Sequence, residues 1–188
     1  MNQCGESIRV VHPLFQTEGG GSTPTSPLQL HVGIVLMKVA KSLNAAWHSR
    51  LPAFTSPPER CVGMAAEYLG RYYVASIWSP PVARNLNHQG IYELRRLAIA
   101  PDAPKNTASR MLRVMRLLIV RRKPGLKKLI SYQDMGVHTG TIYKAAGWKA
   151  VRQDRGGEWA RPELGRHNRP AQSAAPKVRW EYDLHSRR

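Results

Sequence analysis

Cysteine is nearly absent, with two in 188 residues. Cys4 and Cys61 lie far apart and form no CxxC pair, which excludes a zinc ribbon and a disulfide-stapled secreted scaffold. A reduced chain in the cytoplasm is the expectation. No apolar run approaches the roughly 20 residues that cross a bilayer. The nearest candidate, HVGIVLMKVA, is broken by Lys38. No continuous apolar core precedes a small-residue cleavage site near the start, so no secretory leader is expected. Internal repeats are missing as well, which excludes solenoids and propellers. Acidic residues are scarce: 12 Asp plus Glu face 29 Lys plus Arg, a formal net charge of +17. An acidic partner surface is therefore expected, nucleic acid first among them.

The remaining composition fits one domain with loose ends. Residues 1–27 carry GGGSTPTSP and read as a flexible arm, with a short strand conceivable at Ile8–Val11. Residues 28–188 read as the folded unit. Leu28–Leu36 alternates as a strand. Leu36, Val39, Ala40, Leu43, Ala46 and Trp47 then share one helical face, and Pro52 stops that helix near Arg50. CVGMAA and YVASIW, joined through Gly70, read as a hairpin. Ile91–Ala100 is the next strand. It holds Arg95 and Arg96, which must reach the sheet end, pair with a carboxylate such as Glu93, or face an anion.

A helix follows from Asn106 or Thr107, either of which can cap it. Its apolar face holds Ala108, Met111, Leu112, Met115, Leu118 and Ile119; Arg110, Arg113, Arg116 and Arg121 lie opposite. KKLISY is a further strand. TIYKAAGW is a short helix that Thr139 or Thr141 can cap, and VRWEYDL is the last strand. Residues 152–177 are rich in Arg, Gly and Pro and read as a basic loop. One strand–helix–strand unit sits at the centre, giving an α/β (α+β) domain.

Three groups can carry chemistry. The turn PDAPKNTAS leads into a helix, whose N-terminus favours anions. Lys105, Asn106, Thr107 and Ser109 are its candidate cofactor-binding residues. In SYQDMGVHTGTIY, Asp134 follows a strand directly, with His138 and Tyr143 nearby in sequence, and it doubles as an ordinary turn former. His48 ends the first helix, where a cation is favoured in any protein. His48 and Asp134 together supply N and O donors suited to a first-row metal. Finally, aromatic residues interleave with arginines: Tyr72, Tyr73, Trp78 and Trp159 with Arg84, Arg161, Arg166 and Arg169. Such rings can hold an extruded base while the arginines hold phosphates, or the rings can be core.

ELRRLAIAPDAPKNTASRML and SYQDMGVHTGTIYKAAGW resemble the phage-encoded Mom family of DNA-modification proteins. The resemblance runs from Glu93 to Trp148, more weakly to WHSRLP and KVRWEYDL. It implies a GNAT-like fold, a mixed central sheet flanked by helices, and a protein made in the host cytoplasm. It implies an enzyme that adds a methylcarbamoyl group to adenine N6 in double-stranded DNA and so shields phage DNA from restriction. By position, Arg96 and Ser109 match residues proposed to act in the family's active site. His48 and Asp134 match residues implicated in holding iron, and Tyr143 matches a tyrosine beside that site. Ser49 stands where some relatives have tyrosine.

Ordinary GNAT enzymes carry a Gln/Arg-x-x-Gly-x-Gly/Ala loop that lets backbone N–H groups approach the coenzyme A pyrophosphate. The turn here, APKNTAS, has no glycine, which argues against acetyl-CoA. Two other readings stand beside the first. One is an acetyl-CoA-dependent N-acetyltransferase acting on a protein or small amine. The other is a DNA-binding module without catalysis. The small-molecule donor, and whether a second copy of the chain is a partner, stay open.

Overall fold

Turn chemistry and periodicity build the hairpin first. β2 (Val62–Tyr68) and β3 (Arg71–Ser79) pair antiparallel through a two-residue turn. Leu69 and Gly70 there have φ of 49° and 79°. Two successive left-handed residues match the twist of the flanking strands. The computed structural model of the chain describes residues 23–48, 54, 57–83, 86, 90–156 and 175–185. The strand considered at Ile8–Val11 lies outside them. So do Ser49, Arg84, Trp159, Arg161, Arg166 and Arg169.

The other elements are β1 (His31–Val35), α1 (Met37–Trp47), β4 (Ile91–Ile99), α2 (Thr107–Arg122), β5 (Lys128–Asp134), α3 (Thr141–Ala145), β6 (Lys149–Asp154) and β7 (Lys177–Asp183). They form one domain around a mixed seven-stranded sheet, ordered β1-β2-β3-β4-β5-β7-β6. Among the described strands only β4 and β5 pair in parallel, as the ends of the expected strand–helix–strand unit.

α1 covers one face of β2, β3 and β4. Gly63 on β2 makes this possible, because a Cβ there would lie 3.0 Å from the Ala40 Cβ. α2 covers the opposite face. Its Met111, Leu112, Met115 and Ile119 are at most 1% exposed and join Met64, Trp78, Leu94 and Leu129 in the main core. Burial of each such side chain contributes roughly 1.5–3 kcal/mol. α3 packs beside α2: Tyr143 stacks on Trp180, with ring centroids 5.3 Å apart.

Several expectations need correction. Residues 152–177 are not one loop: β6 runs to Asp154, and Lys177 already belongs to β7. β6 is an exposed edge strand, held by main-chain pairing to β7 rather than by apolar alternation. α2 has Asn106 at its N-cap, but no side chain caps it. Asn106 is left-handed, φ 65°, instead of extended as side-chain capping requires. Likewise Gly140, not a threonine, precedes α3. The first strand is shorter than expected, because Pro27–Gln29 forms a 3₁₀ turn capped by Ser26. Arg110 Nε donates to Pro27 O (3.2 Å), tying that turn to α2. Among the described residues no helix is long and apolar enough to cross a membrane.

Candidate active site

The parallel pairing of β4 with β5 stops early. Its last rung joins Leu94 to Ser131. Beyond it β4 continues to Ile99 on β3 alone, and β5 continues to Asp134 on β7 alone. The middle of the sheet therefore opens as a V with unpaired inner edges, and the site candidates gather around it.

Alternation along β5 sorts its side chains. Ser131 and Gln133 point toward α2 and α3. Ser131 Oγ donates to Leu94 O (3.3 Å) and shares a hydrogen bond with the Tyr143 hydroxyl (2.9 Å). Gln133 Oε1 accepts from Trp180 Nε1 (2.7 Å), and its amide donates to His138 O. Tyr132 and Asp134 therefore face the α1 side. Asp134 Oδ1 accepts from Gly136 N (2.9 Å), and its carbonyl accepts from the Val137 and His138 N–H groups. The carboxylate thus shapes the turn and stands at the open end of the V. His138 is exposed beyond it.

The α1 side also receives both arginines of β4. Ile77 pairs with Arg96 and Trp78 with Leu94, so Arg95 is the extra residue of a β-bulge. The guanidinium carbons of Arg95 and Arg96 lie 5.5 and 5.7 Å from the Phe54 ring centroid. Phe54 itself packs on Ala40 and Ile77. Arg95 pairs with Glu93 (3.2 Å), one of the three outcomes open to the arginines of this strand. Burial raises the Glu93 carboxyl; the Arg95 and Arg96 charges and the Val82 N–H offset this. Burial and then the Arg95 charge lower the Arg96 guanidinium, with Glu93 opposing. His48 is the C-cap of α1, its N–H donating to Asn44 O (2.8 Å), on this same side of the sheet.

Ser109 is on the other side. It lines a cleft of about 250 Å³ between the starts of α2 and α3, together with Asn106, Thr107, Ile99, Thr141 and Ile142. Thr107 Oγ1 donates to Pro104 O (2.6 Å) and Ser109 Oγ to Asn106 O (3.1 Å). Thr107 N–H donates to Pro104 O (3.3 Å), and with no side-chain cap the next N–H groups of the first turn of α2 point toward its start. Lys105 is exposed just before them.

Tyr143 is in the core rather than on a cleft wall. Its hydroxyl is buried against Ser131, and that burial raises its pKa, with the Ser131 hydrogen bond opposing. Tyr73 and Trp78, candidates for holding a base, are fully buried core residues. Sequence reasoning missed Tyr132, Phe54 and Lys41 at this site. Only the slipped alternation of Leu94, Leu97 and Ile99, all packed toward α2, signals the bulge.

His48 and Asp134 face the same side, but among the described residues no three His, Cys, Asp or Glu side chains are grouped to hold a metal ion. His48 and Asp134 alone supply two of the donors that an iron centre would need.

The Ser131–Tyr143 bond makes an asymmetric prediction. Ser131→Ala leaves a buried tyrosine hydroxyl without its partner and should cost about 1–3 kcal/mol. Tyr143→Phe leaves Ser131 still donating to Leu94 and should cost about 0.5–1.5 kcal/mol. Urea denaturation of both variants checks the order.

Comparison with known proteins sets this geometry in context. The Mom protein family matches residues 61–179. No curated protein is significantly similar in sequence. Solved structures share the fold at low identity. IAA acetyltransferase from Bacillus cereus has TM-score 0.58 and 11% identity, covering 82% of this chain and 99% of that one. Ribosomal-protein-S5-alanine acetyltransferase from Vibrio fischeri has TM-score 0.59 and 8% identity, covering 91% and 96%. An acetyltransferase of the GNAT family from Desulfovibrio desulfuricans has TM-score 0.53 and 14% identity, covering 82% and 98%. These likenesses establish a GNAT acetyltransferase fold.

Proposed function

The chain belongs to the Mom protein family, and on that premise we propose that it is a transferase that adds a methylcarbamoyl group to adenine N6 in double-stranded DNA. On phage DNA this modification blocks host restriction nucleases. The observation that carries the reading is the family match, which spans the split strands with Arg96, Ser109 and Asp134. The net charge of +17 supports a polyanionic substrate.

The chemistry follows from the target. Adenine N6 is a weak nucleophile, its lone pair delocalised into the ring and one of its hydrogens held in a base pair. The base must swing out, at a cost of a few kcal/mol in lost stacking. In this proposal it enters the V from the α1 side. N6 bonds to the donor's carbonyl carbon, and the donor's bond to its leaving group breaks. One N6 proton passes to the Asp134 carboxylate, with His48 as the other base on that side. Arg96 stabilises negative charge developing on the carbonyl oxygen. The donor lies at the start of α2, beside Ser109, Thr107 and Asn106, with Lys105 at its edge. Tyr143 acts from the core, positioning Ser131 at the last rung of the V. Arg84, Arg161, Arg166 and Arg169 belong to the proposal as contacts to DNA phosphates.

Plasmid DNA from bacteria expressing the protein should resist adenine-sensitive restriction nucleases. Arg96→Gln should lower the rate of modification about 10²–10³-fold, the usual effect of removing one donor to a developing oxyanion. Unchanged protection by that variant, in cells where the wild type limits protection, would remove Arg96 from the mechanism.

The second reading is an acetyl-CoA-dependent N-acetyltransferase. The cleft at the start of α2 and the fold favour it. The glycine-free turn, with Pro104 and a left-handed Asn106, opposes close approach of a pyrophosphate. Tight coenzyme A binding by calorimetry, together with unmodified DNA, would move the assignment there.

A further inference from the structure

The bulge on β4 has an electrostatic result. In an unbroken strand, Arg95 and Arg96 would face opposite sides of the sheet. Here both lie over the Phe54 ring, on the α1 side. Lys41, from α1, brings its Nζ to 5.8 Å from the same centroid. Three cations thus surround one aromatic ring. The carboxylate among them is Glu93, whose Oε1 lies 3.2 Å from Arg95 Nε while Oε2 accepts from Val82 N (3.2 Å). Exposed Glu59 also acts on Cys61, which packs against the cluster around Phe54. Among the described residues, three cations thus gather around one carboxylate.

Its placement is as telling as its charge. Arg95 and Arg96 are the first two residues of β4 past the last rung with β5. They stand at the apex of the V, where the two strands part. The cluster is also partly enclosed: Phe54 is 8% exposed and the Arg95 side chain 19%. A charge held there is screened by salt less than one on open surface. Paired guanidinium forks with an ammonium beside them suit the oxygens of a phosphate.

We infer that Lys41, Arg95 and Arg96, gathered over Phe54, form a phosphate clamp that grips the DNA backbone beside the swung-out adenine. This rests on the DNA-modifying reading above. A phosphate could also come from a nucleotide-like donor. The DNA phosphodiester is favoured because the donor cleft lies at the start of α2, on the opposite side of the sheet. A nucleotide entering from the α1 side carries its own phosphate past the clamp. Lys41 and Arg95 would thereby hold the substrate at the site, while Arg96 serves both phosphate and reaction.

The test uses the full chain, a short fluorescent DNA duplex and anisotropy titrations across a range of NaCl concentrations. The variants are Lys41→Gln and the double Glu93→Gln/Arg95→Gln, which removes both members of the buried pair so that no lone charge is left. Thermal melts confirm folding. Each variant should weaken binding several-fold and reduce the slope of log affinity against log salt by about 0.9, one phosphate contact. Coenzyme A affinity, measured in parallel, should stay as in the wild type. Wild-type slopes in both folded variants would overturn the clamp. So would an unchanged slope with lost coenzyme A binding, which would assign the cluster to a donor's phosphates. Nucleoside analysis of DNA from cells expressing the wild type is read separately. Modified adenine with unchanged slopes sinks the clamp alone. Reduced slopes without modified adenine support the clamp and sink the enzymatic reading.

Discussion

Asp134→Asn should abolish adenine modification while leaving the fold intact. The substitution is chosen for the turn. An Asn Oδ1 can still accept the Gly136 N–H that Asp134 accepts at 2.9 Å, so the corner after β5 survives. What disappears is the ability to take up a proton. Loss of a positioned general base lowers rates about 10²–10⁴-fold, which takes a slow transfer below detection in cells. Asp134→Ala would remove the turn bond as well and would confuse the two roles. If Asp134→Asn still gave fully modified DNA at limiting enzyme, the carboxylate would be a turn former only, and His48 would be the remaining base on that side.

The second large effect is structural. Gly140→Ala should destabilise the protein severely. Gly140 has φ 77°, a conformation in which a side chain is strained. An added Cβ would lie 2.5 Å from Trp180 Cζ2 and 2.6 Å from Gln133 Oε1. Those two atoms belong to the Trp180–Gln133 pair that joins β7 to β5 under the corner. The pair cannot retreat without losing a buried hydrogen bond and the stacking of Trp180 on Tyr143. Strain and clash together should cost about 3–5 kcal/mol, at the upper end of single substitutions. A chemical denaturation midpoint close to that of the wild type would mean that the corner is loosely packed.

The two substitutions probe one corner from its two sides. The turn after β5 holds Asp134 toward the α1 side, and the residues beneath it fix the turn against α3. A stable corner is what turns an ordinary turn-forming aspartate into a positioned base.

Much of this architecture was legible in the sequence. Helix α2 was, because Met111, Leu112, Met115, Leu118 and Ile119 recur at helical spacing and all enter the core. So was the hairpin, because Gly70 punctuates two apolar runs. The central strand–helix–strand unit followed from the same logic. β6 was not legible: its residues are almost all exposed, so no apolar alternation marks it, and main-chain pairing alone makes it a strand. The start of α2 at Asn106 and Thr107 was legible but its capping was not, because Asn106 is left-handed and makes no side-chain cap.

At the site, sequence reasoning found the strand-end position of Asp134 and offered the Arg95–Glu93 pair as one of three outcomes, both local properties. It could not find the V, because strand register is a property of the whole sheet. Nor could it see that arginines on the polar face of α2 have partners of their own. Arg110 is bound to Pro27, and Arg116 lies 4.2 Å from the Tyr182 ring centroid. Tyr143 shows the same limit: a tyrosine near Asp134 in sequence is, in space, a core residue on the far side of the strand.

The most direct measurement is mass spectrometry of nucleosides from plasmid DNA, isolated from bacteria expressing the wild type or Asp134→Asn. The account predicts a deoxyadenosine heavier by one methylcarbamoyl group in the wild-type sample and ordinary deoxyadenosine with the variant. Unmodified deoxyadenosine from cells holding abundant, folded wild-type protein and otherwise competent for the reaction would contradict it.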